Sequence, residues 1–281
     1  MNLIQTFCLG SLRNISRNRF LWVILPLLIV FSNFLGLNGD IMYTLFTQSC
    51  ACLAIVFVHE SKCDLQVRET VWSTRYNLVN YSIGRLLAYS IATLIIIGLC
   101  EIVMFLHGSN GYIGAVLHHN GEHITISMRF PWQLWLKTFF SMLPIFVLLL
   151  CVRNYYRLGL ITAIGYWLYI FAFVILLRQN ILIGTITSGF YPLRWLAIIP
   201  STNVFLYAWA DPIPWILPSL GLAGLGWFGY LAKCMWRKTA EPLHIKPAWL
   251  GLGLALSCLS LYLGYQQFVA MLHMYNPASV F

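Results

Sequence analysis

Seven long apolar segments constrain this fold more than any motif does. Hydrophobic residues make up 60% of the chain and charged residues only 9%, whereas a soluble domain has about 25% charged residues. A run of about 20 apolar residues is long enough to cross a bilayer as a helix. The sequence therefore predicts an all-α polytopic membrane protein, with spans at residues 20–37, 42–58, 84–106, 138–152, 158–177, 212–232 and 248–268.

The positions of lysine and arginine predict the orientation of these spans. Cytoplasmic loops of membrane proteins hold an excess of both residues. With the N-terminus inside, thirteen of the 17 fall in cytoplasmic segments, and the C-terminus is external. The charge is scattered over short loops, so it indicates topology and gives no reason to expect a nucleic-acid partner. The four lysine and arginine residues predicted to be external are Arg129, Lys137, Arg178 and Arg194.

The first 19 residues have the pattern of a helix that lies in the membrane interface. Apolar residues recur at helical spacing from Leu3 to Ile15, and polar residues occupy the other faces. A cleaved signal peptide is the competing interpretation. The basic region is long, however, and lies later in the sequence than the basic start of a signal peptide. No small-residue cleavage site follows the apolar run. We therefore expect an uncleaved interfacial helix over residues 1–19.

A polar cluster, His118-His119-Asn120-Gly121-Glu122-His123, interrupts the apolar pattern on the external side. Asn-Gly between two alternating runs is a strong signal for a two-residue β-hairpin. The predicted strands cover residues 113–119 and 122–128, so that His118 and His123 lie opposite each other. Two histidines are candidate metal ligands but do not complete a site, and the hairpin interpretation is preferred.

The cytoplasmic loop at residues 59–83 is longer than a simple connection between two spans requires. It combines Glu60, Asp64 and Glu69 with basic residues, among them Arg68 and Arg75. A solvated loop with ordinary positive-inside charges is one interpretation. The other is that a soluble partner docks on the loop.

The order of elements from residue 1 to about residue 238 resembles permease subunits of the ABC-2 type, the membrane half of many ATP-binding-cassette exporters. Asp64 and Glu69 match acidic positions of the family's cytoplasmic loop, and Ser73-Thr74 matches its Ser-Thr pair. Gly84-Arg85-Leu86-Leu87-Ala88 matches the Gly-Lys-Leu-Leu-Ala that opens the third span. The sequence departs from the pattern at Gln66-Val67 and at Arg75, where the family usually has Gly-Thr and proline.

The resemblance implies an ABC-2 transmembrane domain similar to type V exporters, with about six core spans and one extra C-terminal span. An interfacial elbow helix at 1–19 would precede a core at 20–238, and the extra span and external tail would occupy 239–281. Within the core, 59–83 would be the coupling loop, 107–137 the external hairpin loop and 178–211 an external re-entrant segment. The implied ATPase-coupling residues are Glu60, Asp64, Arg68, Glu69, Thr74, Arg75, Gly84 and Arg85.

The resemblance also implies the partners and the compartment. No glycine in the chain is followed by lysine, so the chain has no P-loop to bind ATP phosphates. ATP and magnesium would belong to a separate cytoplasmic ATPase dimer, with no cofactor on this chain. A second permease half, identical or related, would complete the transport path in the lipid of a bacterial cytoplasmic membrane.

The sequence says less about the substrate than about the ATPase. Aromatic residues make up 16% of the chain, which would suit export of a hydrophobic or amphipathic substrate such as a lipid, peptide or drug. The candidate path residues are Glu101, an ionisable group inside a span, and the aromatic residues Tyr166 and Tyr169. For the aromatic residues, the alternative interpretation is helix packing or a lipid-facing belt. For Glu101, the alternative is that its side chain snorkels toward the membrane interface.

Two other classes of protein remain as alternatives, and both would act without an ATPase. A membrane zinc protease would need His-Glu-x-x-His, but His59-Glu60 is followed by cysteine at position 63. A secondary transporter would need inverted repeats and several buried charges. The sequence shows neither a clear repeat nor a charge pair.

Overall fold

The computed structural model describes residues 3–34, 39–66, 77–106, 112–119, 122–129, 132–179, 213–236, 243 and 245–274. Within these ranges the chain forms eight helices and one two-stranded hairpin. The helices are α1 (Leu3–Ser16), α2 (Arg19–Phe34), α3 (Gly39–Gln66), α4 (Leu78–Leu106), α5 (Trp132–Cys151), α6 (Tyr156–Gln179), α7 (Ile213–Trp236) and α8 (Pro247–Met274). The strands are β1 (Tyr112–His119) and β2 (Glu122–Arg129).

Each of the seven apolar segments coincides with one of the helices from α2 to α8. The predicted N-terminal helix is α1, which is separated from α2 by a short corner at Arg17 and Asn18. The corner is capped on both sides: Trp22 Nε1 donates to the carbonyl of Ser16, and the Asn18 side chain accepts from the amide of Phe20 at 3.0 Å. These bonds satisfy groups that helix ends leave without intrahelical partners.

Helix α3 lies at the centre of the molecule and contacts α2, α4, α5 and α6. Its stretch from Cys50 to Val58 is almost wholly buried. Phe57 of this stretch stacks on Phe146 of α5, with ring centroids 5.9 Å apart, and also packs against Tyr89 of α4 at 4.7 Å. Aromatic rings at these separations add to the stabilisation from burial. The core is therefore built on α3 and its contacts with α4 and α5.

The C-terminal helix α8 packs closely against α7 through small residues. A side-chain carbon at Gly221 of α7 would come within 2.9 Å of the backbone of Leu261, and Gly253 of α8 lies against the ring of Phe228. The side chain of Ser257 of α8 packs against Gly224 of α7 in the same contact. The Gly253 and Ser257 pair has the small-xxx-small spacing that lets membrane helices approach one another. Helix α8 is thus tied directly to α7.

Among the residues that the structure describes, two helices are long and apolar enough to cross a membrane, within Leu78–Ile102 and Pro247–Gln267. Half of the first segment and only 22% of the second are buried inside the protein. Helix α8 consequently exposes large apolar side chains such as Trp249, Leu256 and Leu259. Soluble monomers rarely leave contiguous apolar patches of this kind on their surface. Both helices indicate association with a membrane.

Four hydroxyl groups inside the helices are satisfied within their own helix. Ser61, Thr93, Thr162 and Ser257 each donate to the carbonyl four residues earlier, at 2.7 to 2.9 Å. This bond removes the need for an outside partner, which apolar surroundings would not supply. The polar residues within the apolar segments are therefore compatible with continuous helices.

The hairpin prediction is confirmed in its strands and its register. Strands β1 and β2 pair antiparallel, with His118 opposite His123 and His119 opposite Glu122. Each strand is one residue longer than predicted, starting at Tyr112 and ending at Arg129. The turn at residues 120 and 121 lies outside the described residues, as does the middle of the predicted coupling loop, residues 67–76. The same holds for most of the predicted re-entrant segment and for the end of the chain from residue 275.

Candidate functional site

The interfacial helix α1 docks on the first turns of α4 at a glycine. A side-chain carbon at Gly84 would come within 2.7 Å of the Ile4 carbonyl and 2.8 Å of the Phe7 Cβ. Phe7 also packs edge-to-face on Tyr81, with centroids 5.5 Å apart. Only glycine allows the two backbones to approach this closely. Burial at this contact raises the pKa of the neighbouring Cys8 thiol, which keeps the thiol protonated.

A buried ion pair joins α3 and α4, the two helices that flank the segment predicted to be a cytoplasmic loop. The Arg85 guanidinium of α4 is fully buried and lies 3.5 Å from the Glu60 carboxylate of α3, which is 6% exposed. Arg85 also donates to the Phe57 carbonyl at 2.8 Å and to the Tyr81 hydroxyl. Burying two charges is costly unless each is paired and hydrogen-bonded. Arg85 meets this condition by bonding to both helices at once.

Glu60 of α3 is bonded to two other helices, α1 and α4. Its Oε2 accepts from the Tyr89 hydroxyl of α4 at 2.7 Å, and its Oε1 accepts from the Asn14 side chain of α1 at 3.2 Å. We call Asn14, Phe57, Glu60, Tyr81, Arg85 and Tyr89 the polar network. Because the carboxylate bonds to α1 and α4 while it belongs to α3, the network fixes these three helices relative to one another.

Aromatic rings surround the Arg85 cation. Its guanidinium lies 4.4 Å from the Phe57 ring centroid and 5.7 Å from that of Tyr81. Arg153, in the turn between α5 and α6, lies on the same Tyr81 ring at 5.1 Å. Cation–π contacts of this kind contribute more when water is excluded. They bring the turn between α5 and α6 into contact with the network.

Helix α7 contacts the start of α4, in the same region as the network, through the indole of Trp227. Trp227 Nε1 donates to the Ser82 hydroxyl of α4 at 3.0 Å, and Ser82 in turn donates to the Val79 carbonyl at 2.9 Å. The C-terminal half of α7, the end of α3, the start of α4 and the turn between α5 and α6 therefore converge at one end of the molecule, beside α1. The charge rule assigns these same ends to the cytoplasmic side.

The structure divides the predicted coupling residues into two groups. Gly84, Glu60 and Arg85 lie inside the protein at the base of the loop, where they hold α1, α3 and α4 together. Their burial gives them a structural role in joining these helices. Asp64 belongs to the last turn of α3. Arg68, Glu69, Thr74 and Arg75 lie outside the described residues, and their coupling role stays a prediction.

The predicted transport-path residues belong to two helices, Glu101 to α4 and Tyr166 and Tyr169 to α6. Glu101 is half-buried near the outer end of α4. Tyr166 of α6 is buried and its hydroxyl lies 3.7 Å from the Met142 sulfur of α5. This contact is one of helix packing within a single chain. The side chain of Tyr169 lies outside the described part, and a path through these positions remains a prediction.

The opposition of His118 and His123 places two candidate metal ligands on neighbouring strands. Among the side chains that the structure describes, no group of three or more His, Cys, Asp or Glu residues lies close enough to hold a metal ion. A metal site at the hairpin would need a third ligand from another part of the assembly.

Sequence reasoning missed most of the polar network. It found no charge pair, whereas the structure shows one between Glu60 and Arg85. The pair went unnoticed because it joins separate helices and depends on how they pack. One signal was present: Tyr81, Arg85 and Tyr89 recur every four residues and so share one face of a helix. Three polar residues on one face of an apolar helix indicate a buried partner.

Comparisons with protein-family models, with curated proteins and with solved structures give no match to this chain.

Proposed function

We propose that this chain is the permease subunit of an ATP-driven ABC exporter whose ATPase is a separate chain. In this proposal all seven helices from α2 to α8 cross the bacterial cytoplasmic membrane, with the N-terminus inside. A second permease half completes the path, and the substrate is hydrophobic or amphipathic. The observation that carries the proposal is the bond between Glu60 and Arg85 at the base of the cytoplasmic loop.

The ion pair supports coupling because it fixes both ends of the loop. Helix α3 continues for six residues beyond Glu60 to Gln66, and α4 begins at Leu78. The intervening segment is therefore carried by two helices that Arg85 binds together. A displacement of the segment by a docked ATPase would move both helices as one unit and would not be absorbed by a flexible hinge.

The interfacial helix extends this unit to the membrane surface. α1 is fixed to α4 by the close contact at Gly84 and to α3 by the bond from Asn14 to Glu60. Its Leu3 and Leu9 side chains remain exposed, as expected for an amphipathic helix that places apolar side chains in the lipid interface. A movement of α3 and α4 would therefore be accompanied by α1.

The exposed apolar surface of α4 needs an apolar cover, which a second permease half or the surrounding lipid would provide. Leu87, Ile91, Leu94 and Ile95 are exposed along this helix although it is long enough to span a bilayer. A path between two permease halves would use a surface of this kind. Glu101 lies on the same helix, near its C-terminal end.

The buried charge pair also supports the alternative of a secondary transporter, in which paired charges carry protons or ions. Arg85 lies in the second turn of α4, near the end that the charge rule assigns to the cytoplasm. Coupling charges are typically nearer the middle of the membrane. This position favours a role at the base of the loop. A membrane enzyme is the other alternative, and neither requires an ATPase.

The proposal is tested by reversing one charge in the loop. Glu69→Lys is expected to abolish ATP-dependent transport in inside-out vesicles, assayed with fluorescent lipids and hydrophobic dyes, because a repelled ATPase no longer moves the loop. The amount of folded protein in the membrane should not change. Glu241→Lys makes the same reversal in another predicted cytoplasmic segment and should transport normally. Normal transport by Glu69→Lys would remove the loop from the mechanism.

A further inference from the structure

A cavity of about 440 Å³ opens beside the corner between α1 and α2. One wall is the corner itself, and the others come from α3 and α6. It lies at the end of the molecule that contains the polar network, but it shares no residue with that network. The lining residues are Arg17, Asn18, Arg19, Phe20, Ile55, Val56, His59, Tyr156 and Leu160.

The polar part of this cavity is basic. Arg17, Arg19 and His59 are exposed, and no lining residue is acidic. Glu60 is the nearest acidic residue in sequence, and its carboxylate is already bound by Arg85, Tyr89 and Asn14. The N-terminus of α2 adds a partial positive charge at the same corner. The cavity therefore suits an anion.

The other part of the cavity is apolar. Phe20, Ile55, Val56 and Leu160 belong to α2, α3 and α6, three helices that the sequence assigns to the membrane. Tyr156 also lines the cavity, and the Lys62 ammonium lies 4.9 Å from the centroid of its ring. A ligand that fits both parts has an anionic head and a hydrocarbon tail.

We infer that this cavity binds an anionic phospholipid of the inner leaflet, with its phosphate between Arg17 and Arg19 and an acyl chain along the apolar wall. Basic pockets between helices at the cytoplasmic side of a membrane suit such head groups. The bound lipid would link the corner of α1 and α2 to α6. The inference rests on the membrane placement within the proposed function and does not depend on the ATPase.

The test uses the purified full chain in a neutral detergent, without any ATPase. Thermal unfolding is followed during titration with dioctanoyl phosphatidylglycerol, dioctanoyl phosphatidylcholine or inorganic phosphate. We expect saturable stabilisation by the phosphatidylglycerol alone. The double variant Arg17→Gln/Arg19→Gln should bind it about 25-fold more weakly, since each basic side chain near an anionic lipid contributes about fivefold.

Two further variants separate charge from structure. Arg13→Gln removes an exposed arginine of α1 that does not line the cavity and should bind as the native chain does. Arg17→Lys/Arg19→Lys keeps both charges and should restore most of the affinity. Equal stabilisation by phosphatidylcholine, equal stabilisation by inorganic phosphate, or an equal loss in Arg13→Gln would each overturn the lipid site. A missing ATPase partner would affect the proposed function and leave this result intact.

Discussion

The Arg85 guanidinium and the Glu60 carboxylate lie 3.5 Å apart in the protein interior, and the same carboxylate accepts a hydrogen bond from Asn14 of α1. Each charge is compensated by the other and by neutral hydrogen-bond partners from the same helices. A pair in this setting specifies one arrangement of helices more than it adds net stability. The loop therefore begins and ends on a defined base.

Removing either member of the pair should destabilise the protein strongly. Arg85→Met and Glu60→Gln each leave a buried partner uncompensated, which costs about 3–5 kcal/mol. The double variant should lose clearly less stability than the sum of the two single-variant losses, because it leaves no unpaired charge. Unfolding in detergent measures all three against Arg157→Gln, an exposed arginine of α6 that should be nearly neutral. Strictly additive losses would show that the two charges do not interact.

The contact between α1 and α4 should be sensitive to a single methyl group. Gly84→Ala places a carbon within 3 Å of the α1 backbone, and overpacking of this kind costs about 1–3 kcal/mol. Gly98→Ala is the matched control on the same helix, since a side-chain carbon there meets nothing within 4 Å. Protease cleavage within α1, compared between the two variants, measures whether α1 has separated. Equal cleavage of both would contradict the close contact.

Cysteine accessibility should distinguish a membrane protein from a soluble one. Cys63 and Cys258 are both exposed in the single chain, Cys63 near the end of α3 and Cys258 in the middle of α8. In inside-out vesicles, a water-soluble maleimide should label a variant that retains only Cys63. It should not label one that retains only Cys258, because lipid covers that thiol until detergent is added. Rapid labelling of both without detergent would contradict the span assigned to α8.

The helices were the most predictable part of the fold. A helix that crosses a membrane needs a long apolar sequence, so each apolar run identifies one. The ends were less predictable: the second span was expected to finish at residue 58, but α3 continues to Gln66 through polar residues. Polarity marks where a helix leaves the apolar layer and does not by itself end the helix. The hairpin was predictable because its register depends only on the turn and on alternation.

The candidate site was only partly predictable. Gly84, Glu60 and Arg85 were identified through a resemblance, but their contacts with one another and with α1 were not. Asn14 and Glu60 are 46 residues apart in the sequence, and no local pattern specifies that they meet. Their bond depends on how closely α1 approaches, which in turn depends on the absence of a side chain at Gly84.

Co-purification tests the central claim most directly. The full chain is extracted from its native membrane in a mild detergent, captured through a C-terminal tag, and its partners are identified by mass. The account predicts a soluble ATPase with a P-loop, recovered in an amount equal to that of this chain. Recovery of the chain alone, still active in transport or catalysis after reconstitution into liposomes, would contradict the exporter proposal and favour a secondary transporter or a membrane enzyme.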